Sequence, residues 1–251
     1  MHDFPPPVEE LVALLASLPG ATAVVLGGSR AQGTGDAASD WDLGLYYRGA
    51  LDLAALEARG TVHPPGAWGR IMNGGAWLRC GDAKVDVLLR DLDAVEHWTR
   101  RAEQGEYDVD FLLGYLAGIP TYTLSGELAS CRPLRGEIPL PPSFPPRLAA
   151  AAPGRWRFHR SFSLDYARMH AGRGNIAGAA GSAARALMEE AHARVCERGL
   201  WVLNEKRLAE AAGLAGAQAL FAQVPAGPEA LAAWVEEVAG ALGPVEETPS
   251  P

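Results

Sequence analysis

The sequence is poor in cysteine and has no long apolar run. Its three cysteines, Cys80, Cys131 and Cys196, are far apart and odd in number, so they predict neither a disulfide framework nor a zinc site. No uninterrupted apolar run approaches the length of a membrane span, and no basic segment followed by an apolar stretch indicates a signal peptide. We therefore expect a cytoplasmic protein without a membrane partner.

Positive charge is also scarce. The chain carries 22 Lys and Arg against 30 Asp and Glu, a formal net charge of -8. Proteins that coat nucleic acid bind phosphates through basic surfaces, so this balance disfavours nucleic acid as the partner and leaves only a local basic cleft open. The 251 residues are 48% hydrophobic, which is enough for a substantial core in one or two domains. Nothing in the sequence indicates the oligomeric state.

The first half of the chain predicts a mixed α/β domain. The strands follow one another closely after a βαβ-like start, so we expect a mixed sheet rather than a doubly wound parallel one. The predicted elements are a helix at Val8–Leu18, strands at Ala21–Leu26 and Asp40–Tyr47, a short helix at Leu51–Arg59, a hairpin of Trp68–Met72 and Ala76–Cys80 around Asn73-Gly74-Gly75, a strand at Lys84–Leu89, helices at Leu92–Arg101 and Val109–Leu116, and a short strand at Thr121–Leu124.

The second half predicts helices. Residues 133–146 are dense in proline and indicate a linker. After them, helical patterns cover Ala149–Ala171, Ala177–Arg198, Glu205–Ala212 and Pro228–Leu242. The predicted fold class is thus α/β (α+β), with a mixed-sheet domain at residues 1–132, a linker at 133–146, a helical bundle at 147–242 and a disordered tail at 243–251.

A glycine turn follows the first predicted strand. Gly27 and Gly28 let the backbone bend sharply and approach a ligand closely. Ser29 then stands at a helix start, where free N–H groups and the helix dipole favour phosphate. Arg30 can pair with a phosphate or lie over a base. Many turns look like this one, so the turn alone is equally consistent with an ordinary helix start.

Three carboxylates accompany the turn. Asp40 and Asp42 are two residues apart on a predicted strand and point to the same face, where they repel each other unless a cation lies between them. Asp86 lies in an apolar strand, where an unpaired carboxylate is costly. Mg²⁺ prefers such oxygen ligands and completes its shell with waters and phosphates. The alternative is that Asp40 caps the strand and Asp42 is a solvent-facing charge.

The combined pattern resembles the nucleotidyltransferase superfamily typified by polymerase beta and the aminoglycoside nucleotidyltransferases. Its signature is an apolar residue, Gly-Gly or Gly-Ser, a gap of about ten residues, and Asp-x-Asp or Asp-x-Glu between apolar positions. Here Gly28-Ser29, Asp40-Trp41-Asp42 and the later Asp86 match it. The resemblance covers about Ala21–Arg90 and leaves the helical half of the chain outside it.

The resemblance implies a compact domain that binds a nucleoside triphosphate and two Mg²⁺ ions. Asp40 and Asp42 would bind both metals, and Asp86 would bind the catalytic metal and help to deprotonate the acceptor. Gly28, Ser29 and Arg30 would hold the nucleotide. The expected reaction transfers a nucleoside monophosphate, AMP from ATP, to a hydroxyl of a small molecule such as an aminoglycoside-like antibiotic, and releases pyrophosphate.

In similar enzymes a helical domain closes one side of the cleft. Lys206 resembles the basic residue that reaches the triphosphate there, and the alternative is an exposed lysine after an Asn204 helix cap. Glu189 and Glu190 predict a solvated charged face of their helix. For Trp156 and Phe158 we expect core positions.

Two other functions stay open from the sequence. The acceptor could be a protein side chain or the 3′ end of a transfer RNA, as in toxin-like or regulatory relatives. The chain could also be a non-catalytic nucleotide-binding module, although all three carboxylates are present. The base and the acceptor are not indicated, because superfamily membership fixes the metal chemistry and leaves specificity to the helical half.

Overall fold

The structure is a computed structural model that describes residues 4–33, 35, 39–140 and 142–244. Contacts between Cα atoms divide the chain into two compact units. The first unit takes Met1–Arg101 and Thr121–Ser143, and the second takes Ala102–Pro120 and Phe144–Pro251. The part of the predicted disordered tail at residues 245–251 lies outside the described residues.

The first unit is built on a six-stranded mixed sheet. Its strands lie in the order β3-β4-β5-β2-β1-β8, and β2 and β5 are parallel whereas the other neighbours are antiparallel. The elements are α1 (Pro6–Ser17), β1 (Ala21–Leu26), α2 (Gly28–Gln32), β2 (Trp41–Tyr47), α3 (Ala54–Glu57), β3 (Gly60–His63), α4 (Gly69–Met72), β4 (Gly74–Cys80), β5 (Ala83–Asp91), α5 (Leu92–Glu103), β6 (Val109–Asp110), β7 (Ile119–Pro120), α6 (Thr123–Ser130) and β8 (Arg132–Gly136), of which β6 and β7 belong to the second unit.

Alternating side chains give the sheet one buried face. In β5, Val85, Val87 and Leu89 are buried and alternate with Asp86 and Leu88, as the two-residue period of a strand requires. The buried set packs with α1 into one hydrophobic core. Burying a Val or Leu side chain stabilises the fold by about 1.5–3 kcal/mol, so this alternation fixes which face of β5 carries Asp86.

The predicted hairpin around Asn73-Gly74-Gly75 is wrong. These glycines open β4, which pairs with β3 on one side and β5 on the other. A Cβ at Gly74 or Gly75 would overlap backbone oxygens of the neighbouring chain, and at Gly75 it would also overlap the ring of Trp68. Glycine is therefore needed at these positions because backbone and an indole ring pass close to them. Turn preferences, which depend only on neighbouring residues in the sequence, do not include such contacts.

Two further predicted elements are wrong for a similar reason. Residues 109–116 are not a helix: β6 is followed by a loop in which the backbone N–H groups of Leu116 and Ala117 donate to the Glu205 carboxylate, at 2.6 and 2.8 Å. The predicted strand at Thr121–Leu124 is instead a turn at residues 121 and 122 followed by the start of α6. In the loop after β6, contacts with a residue distant in sequence outweigh the local preference.

The proline-rich segment also begins differently from the prediction. Pro133 lies within β8, which pairs with β1 at the edge of the sheet. Proline lacks the N–H that a central strand needs and is tolerated at an edge. Pro141, in the same segment, lies outside the described residues.

The second unit is helical and confirms the predicted α-rich second half. A hydrophobic core of small alanines and larger aliphatic side chains joins its helices. Its remaining elements are α7 (Pro146–Gly172), α8 (Ile176–Glu197), α9 (Leu208–Ala211), α10 (Ala215–Ala219), a 3₁₀ helix (Leu220–Gln223) and α11 (Pro228–Leu242). Among the described residues, no helix is both long and apolar enough to cross a bilayer.

The predicted solvated face of α8 is wrong. Glu189, Glu190 and His192 are all at most 2% exposed. Glu190 accepts hydrogen bonds from three arginines, with Arg160 Nη1 at 2.5 Å and Arg194 Nε at 3.0 Å as the two shortest. The arginines compensate for the cost of burying the Glu190 carboxylate. Two of them come from α7, and a pairing between two helices cannot be seen in the residue periodicity of α8 alone.

Candidate active site

The glycine turn is packed directly against Asp42. The backbone N–H of Gly27 donates to the Asp42 carbonyl at 2.7 Å, and α2 begins at the next residue. Gly28 has φ +61°, and a Cβ there would overlap the Asp42 carboxylate. The turn and the carboxylate therefore form one unit that only glycine allows at position 28.

Asp42 and Asp86 are direct neighbours on parallel strands. They are register partners between β2 and β5, so their Cα atoms lie about 4.8 Å apart and their side chains share a face. Both are half-buried, whereas Asp40 is exposed and lies one residue before β2. The strand pairing thus joins two carboxylates that are 44 positions apart in sequence.

The same face of the sheet is closed at its other end. Tyr46 and Arg90 are register partners four residues further along β2 and β5. The Arg90 guanidinium donates to both Glu127 oxygens, at 2.5 and 2.7 Å. Burial raises the pKa of Tyr46 far above its ordinary range. The end that carries Asp42 and Asp86 is the more accessible one.

Arg30 makes contacts within the protein. Its Nε and Nη2 atoms donate to the Ser39 carbonyl at 3.1 and 2.7 Å, and its guanidinium lies 4.1 Å from the centre of the Trp41 ring. Together with Gly33 and Gly35 it lines a surface groove. Arg30 therefore joins α2 to the start of β2, and its predicted contact with a nucleotide stays a prediction.

The predicted metal ligands are of the chemical type that Mg²⁺ prefers, but they do not form a three-residue metal site. Asp40, Asp42 and Asp86 supply the carboxylate oxygens that Mg²⁺ prefers, and the Asp42 carboxylate occupies the space where a Cβ of residue 28 would stand. Among the described residues, however, no three His, Cys, Asp or Glu side chains are close enough together to hold a metal ion.

Lys206 lies in the second unit. It is exposed in a turn before α9, and its backbone N–H donates to the Asn204 side chain at 3.0 Å. This bond matches the alternative of a lysine in an Asn204-stabilised turn. A contact of Lys206 with the nucleotide stays a prediction.

Sequence reasoning missed an aromatic cluster beside the carboxylates. Trp77 is the register partner of Asp86 on β4 and is 53% exposed. His63 and Trp68 pack against it, with ring centres 4.6 and 5.4 Å from that of Trp77. The alternation around Trp77 in β4 could have indicated its face, and the turn at residues 81 and 82, which leads into the predicted strand Lys84–Leu89, could have indicated its pairing with Asp86.

Comparison with known proteins finds solved structures that are similar to this chain. A nucleotidyltransferase-like protein from Exiguobacterium sibiricum is 13% identical over 94% of this chain and 73% of that chain, with a TM-score of 0.46. No protein-family model matches the chain, and no curated protein matches it in sequence. A likeness at this level does not bear on the activity, which has to be argued from the site itself.

Proposed function

We propose that the protein is a magnesium-dependent nucleotidyltransferase that moves a nucleoside monophosphate, AMP from ATP, to a hydroxyl of a small molecule. One observation carries the proposal: Asp42 and Asp86 are register partners on parallel strands, with the Gly28 turn packed on Asp42. Carboxylates next to a glycine turn combine oxygen ligands for a divalent ion with backbone donors for phosphate. An aminoglycoside-like sugar is the acceptor class that we propose.

Each side chain then has a defined task. Gly28 and Ser29 would bind the triphosphate, while Asp40, Asp42 and Asp86 would hold the Mg²⁺ ions. When bound, Mg²⁺ neutralises the charge on the transferred and leaving phosphates. Asp86 also accepts the proton of the acceptor hydroxyl. The acceptor oxygen forms a bond to the α-phosphorus, the bond from that phosphorus to the pyrophosphate oxygen breaks, and pyrophosphate leaves with the electron pair.

The test is pyrophosphate release with Mg²⁺, the four ribonucleoside triphosphates and a panel of sugars that includes aminoglycosides. We expect Asp42→Asn and Asp86→Asn to lower the rate at least ~10³-fold, because each removes a charged ligand. Asp82→Asn is the matched control, since Asp82 is an exposed carboxylate in the turn before β5. Equal rates for Asp42→Asn and Asp82→Asn would contradict the proposal.

A second candidate function is nucleotide binding without transfer. It is favoured by the ligand count, because among the described residues no group of three His, Cys, Asp or Glu side chains could hold a metal ion. This function predicts that Mg²⁺ and a nucleoside triphosphate raise the melting temperature by mass action while no pyrophosphate is released with any acceptor. Pyrophosphate release that requires Asp42 would exclude it.

A further inference from the structure

The row of side chains across the sheet continues beyond the carboxylates. Asp42 of β2 pairs with Asp86 of β5, Asp86 with Trp77 of β4, and Trp77 with Thr61 of β3. Register partners share a face and neighbouring strands are about 4.8 Å apart. Two carboxylates, an indole and a hydroxyl thus follow one another on one face, and we name these four residues the acceptor row.

Trp77 is held in place by its neighbours and still leaves ring surface uncovered. Its indole contacts the His63 ring edge-on, with an angle of 72° between the ring planes, and Trp68 packs beside it. Trp68 itself lies against Gly75, where a Cβ would overlap its ring. A large apolar side chain that is braced and yet 53% exposed beside two carboxylates suits a ligand surface more than a core position.

The two ends of the acceptor row lie near different reacting groups, the leaving pyrophosphate at one end and the attacking hydroxyl at the other. The proposed phosphate turn packs on Asp42, so it lies at the β1–β2 end of the row, away from Trp77. In phosphoryl-group displacement the attacking and leaving oxygens are roughly in line on opposite sides of the phosphorus. With the leaving pyrophosphate at the turn, the attacking group approaches over β5 and β4.

We infer that the acceptor row binds the acceptor, and that the acceptor is a saccharide whose ring packs on Trp77. This inference rests on the proposed function and adds the position of the second substrate. A sugar ring has apolar C–H faces bordered by hydroxyls, and the row offers a half-exposed indole with Asp86 and Thr61 as its register partners. Arg79 and Lys84 follow on the same face of the sheet, so this face carries basic as well as acidic side chains, and the inference covers neutral as well as amine-bearing sugars.

The experiment measures both binding and turnover. Kanamycin and the neutral trisaccharide raffinose serve as amine-bearing and neutral probes, and saturation-transfer NMR with the full chain reports ring contact without needing turnover. For a saccharide that binds, we expect Trp77→Ala to weaken binding and raise the acceptor KM at least tenfold, with the ATP KM changed less than twofold. Trp77→Phe, which keeps a ring, should restore most of both.

Controls separate this inference from the proposed function. Trp98→Ala changes a tryptophan of α5, outside the row, and should leave both constants as in the wild type. If wild-type protein releases pyrophosphate with a saccharide but Trp77→Ala has unchanged acceptor binding and KM, the inference is overturned and the function stands. If neither probe binds to the wild-type protein, the saccharide assignment is overturned. An increase in the ATP KM alone would instead assign Trp77 to the nucleotide base.

Discussion

At the scale of single residues, the contact between Gly28 and Asp42 carries most of the functional argument. A glycine after a strand has several explanations, among them an ordinary turn. The structure gives one physical reason, because the position has φ +61° and its Cβ would overlap a carboxylate oxygen. The sequence indicated a glycine turn and three acidic residues, but it could not indicate that the two touch.

Gly28→Ala should therefore disturb the site as well as the backbone. A left-handed backbone costs alanine about 1–3 kcal/mol, and the overlap displaces Asp42 in addition. We expect a lower melting temperature and at least a ~100-fold loss of the pyrophosphate-release rate.

The matched control for this change is Gly33→Ala. Gly33 directly follows α2 with φ +73°, and apart from its chain neighbours no described residue lies within 4 Å of its Cβ position. The control should lose similar stability but change the rate only a few-fold. Equal effects of the two substitutions on the rate would show that backbone strain, and not contact with Asp42, is what matters at Gly28.

At the scale of helices and strands, the sequence pattern predicts an element correctly where the residues of that element alone determine its structure. The strand Ala21–Leu26 is found with the predicted bounds, and β5 extends the predicted Lys84–Leu89 by a residue or two at each end, because alternation or β-branching reports burial in a sheet. Prediction fails where partners are distant. Gly75 lacks a side chain where the Trp68 ring packs against the strand, and the 109–116 loop is held by a hydrogen bond to Glu205.

Helix α8 buries polar side chains that its sequence pattern predicts to be exposed. His192 is fully enclosed and stacks on Trp156, with ring centres 4.3 Å apart and planes 10° from parallel. Burial lowers the pKa of His192 from 6.5 to about 3. Trp156 is buried as we expected, whereas Phe158 is 64% exposed, so only one of the two predicted core aromatics is in the core.

The buried His192 predicts a dependence of stability on pH. The folded protein keeps His192 neutral, whereas the unfolded chain takes up a proton below about pH 6.5. Its contribution to the free energy of unfolding is thus complete above pH 6.5 and is lost as pH falls toward 3. Between pH 7.5 and 5.0 we expect a loss of about 2 kcal/mol from this group, measured by denaturant unfolding.

His192→Phe is the matched variant, because it keeps a ring against Trp156 and cannot titrate. It should remove that part of the pH dependence. Burial raises the pKa of Glu189 and Glu205, so these groups favour the folded state as pH falls, but they are present in both proteins and cancel in the comparison. An identical change between pH 7.5 and 5.0 in both proteins would contradict the role given to His192.

At the scale of the whole molecule, composition and pattern predicted a mixed sheet and a helical half, and both are present. They could not predict that Ala102–Pro120 belongs to the second unit. That assignment depends on contacts such as Tyr107 stacked on Trp156, with ring centres 5.8 Å apart, and Arg155 donating to the Tyr107 carbonyl. Contacts of this kind join residues about 50 positions apart, beyond the reach of any local window.

The proposed site divides in the same way. The residues that we propose for the donor side of the reaction are those of the turn and the carboxylates of the first unit, and their residue types are visible in the sequence. The acceptor row depends on strand order, since Trp77 meets Asp86 only through the pairing of β4 with β5. A sequence pattern can therefore indicate the chemistry, while the register of the sheet is needed to suggest where the acceptor binds.

The most direct measurement of the central claim follows the phosphorus atoms of ATP. Protein, Mg²⁺ and an aminoglycoside or neutral saccharide are incubated with ATP labelled at either the α- or the γ-phosphorus, and products are separated. The proposed reaction should place the α-label in the sugar and the γ-label in pyrophosphate, with neither transfer in Asp42→Asn and wild-type transfer in Asp82→Asn. Transfer of γ-label to the sugar, or α-transfer that persists in Asp42→Asn, would contradict it.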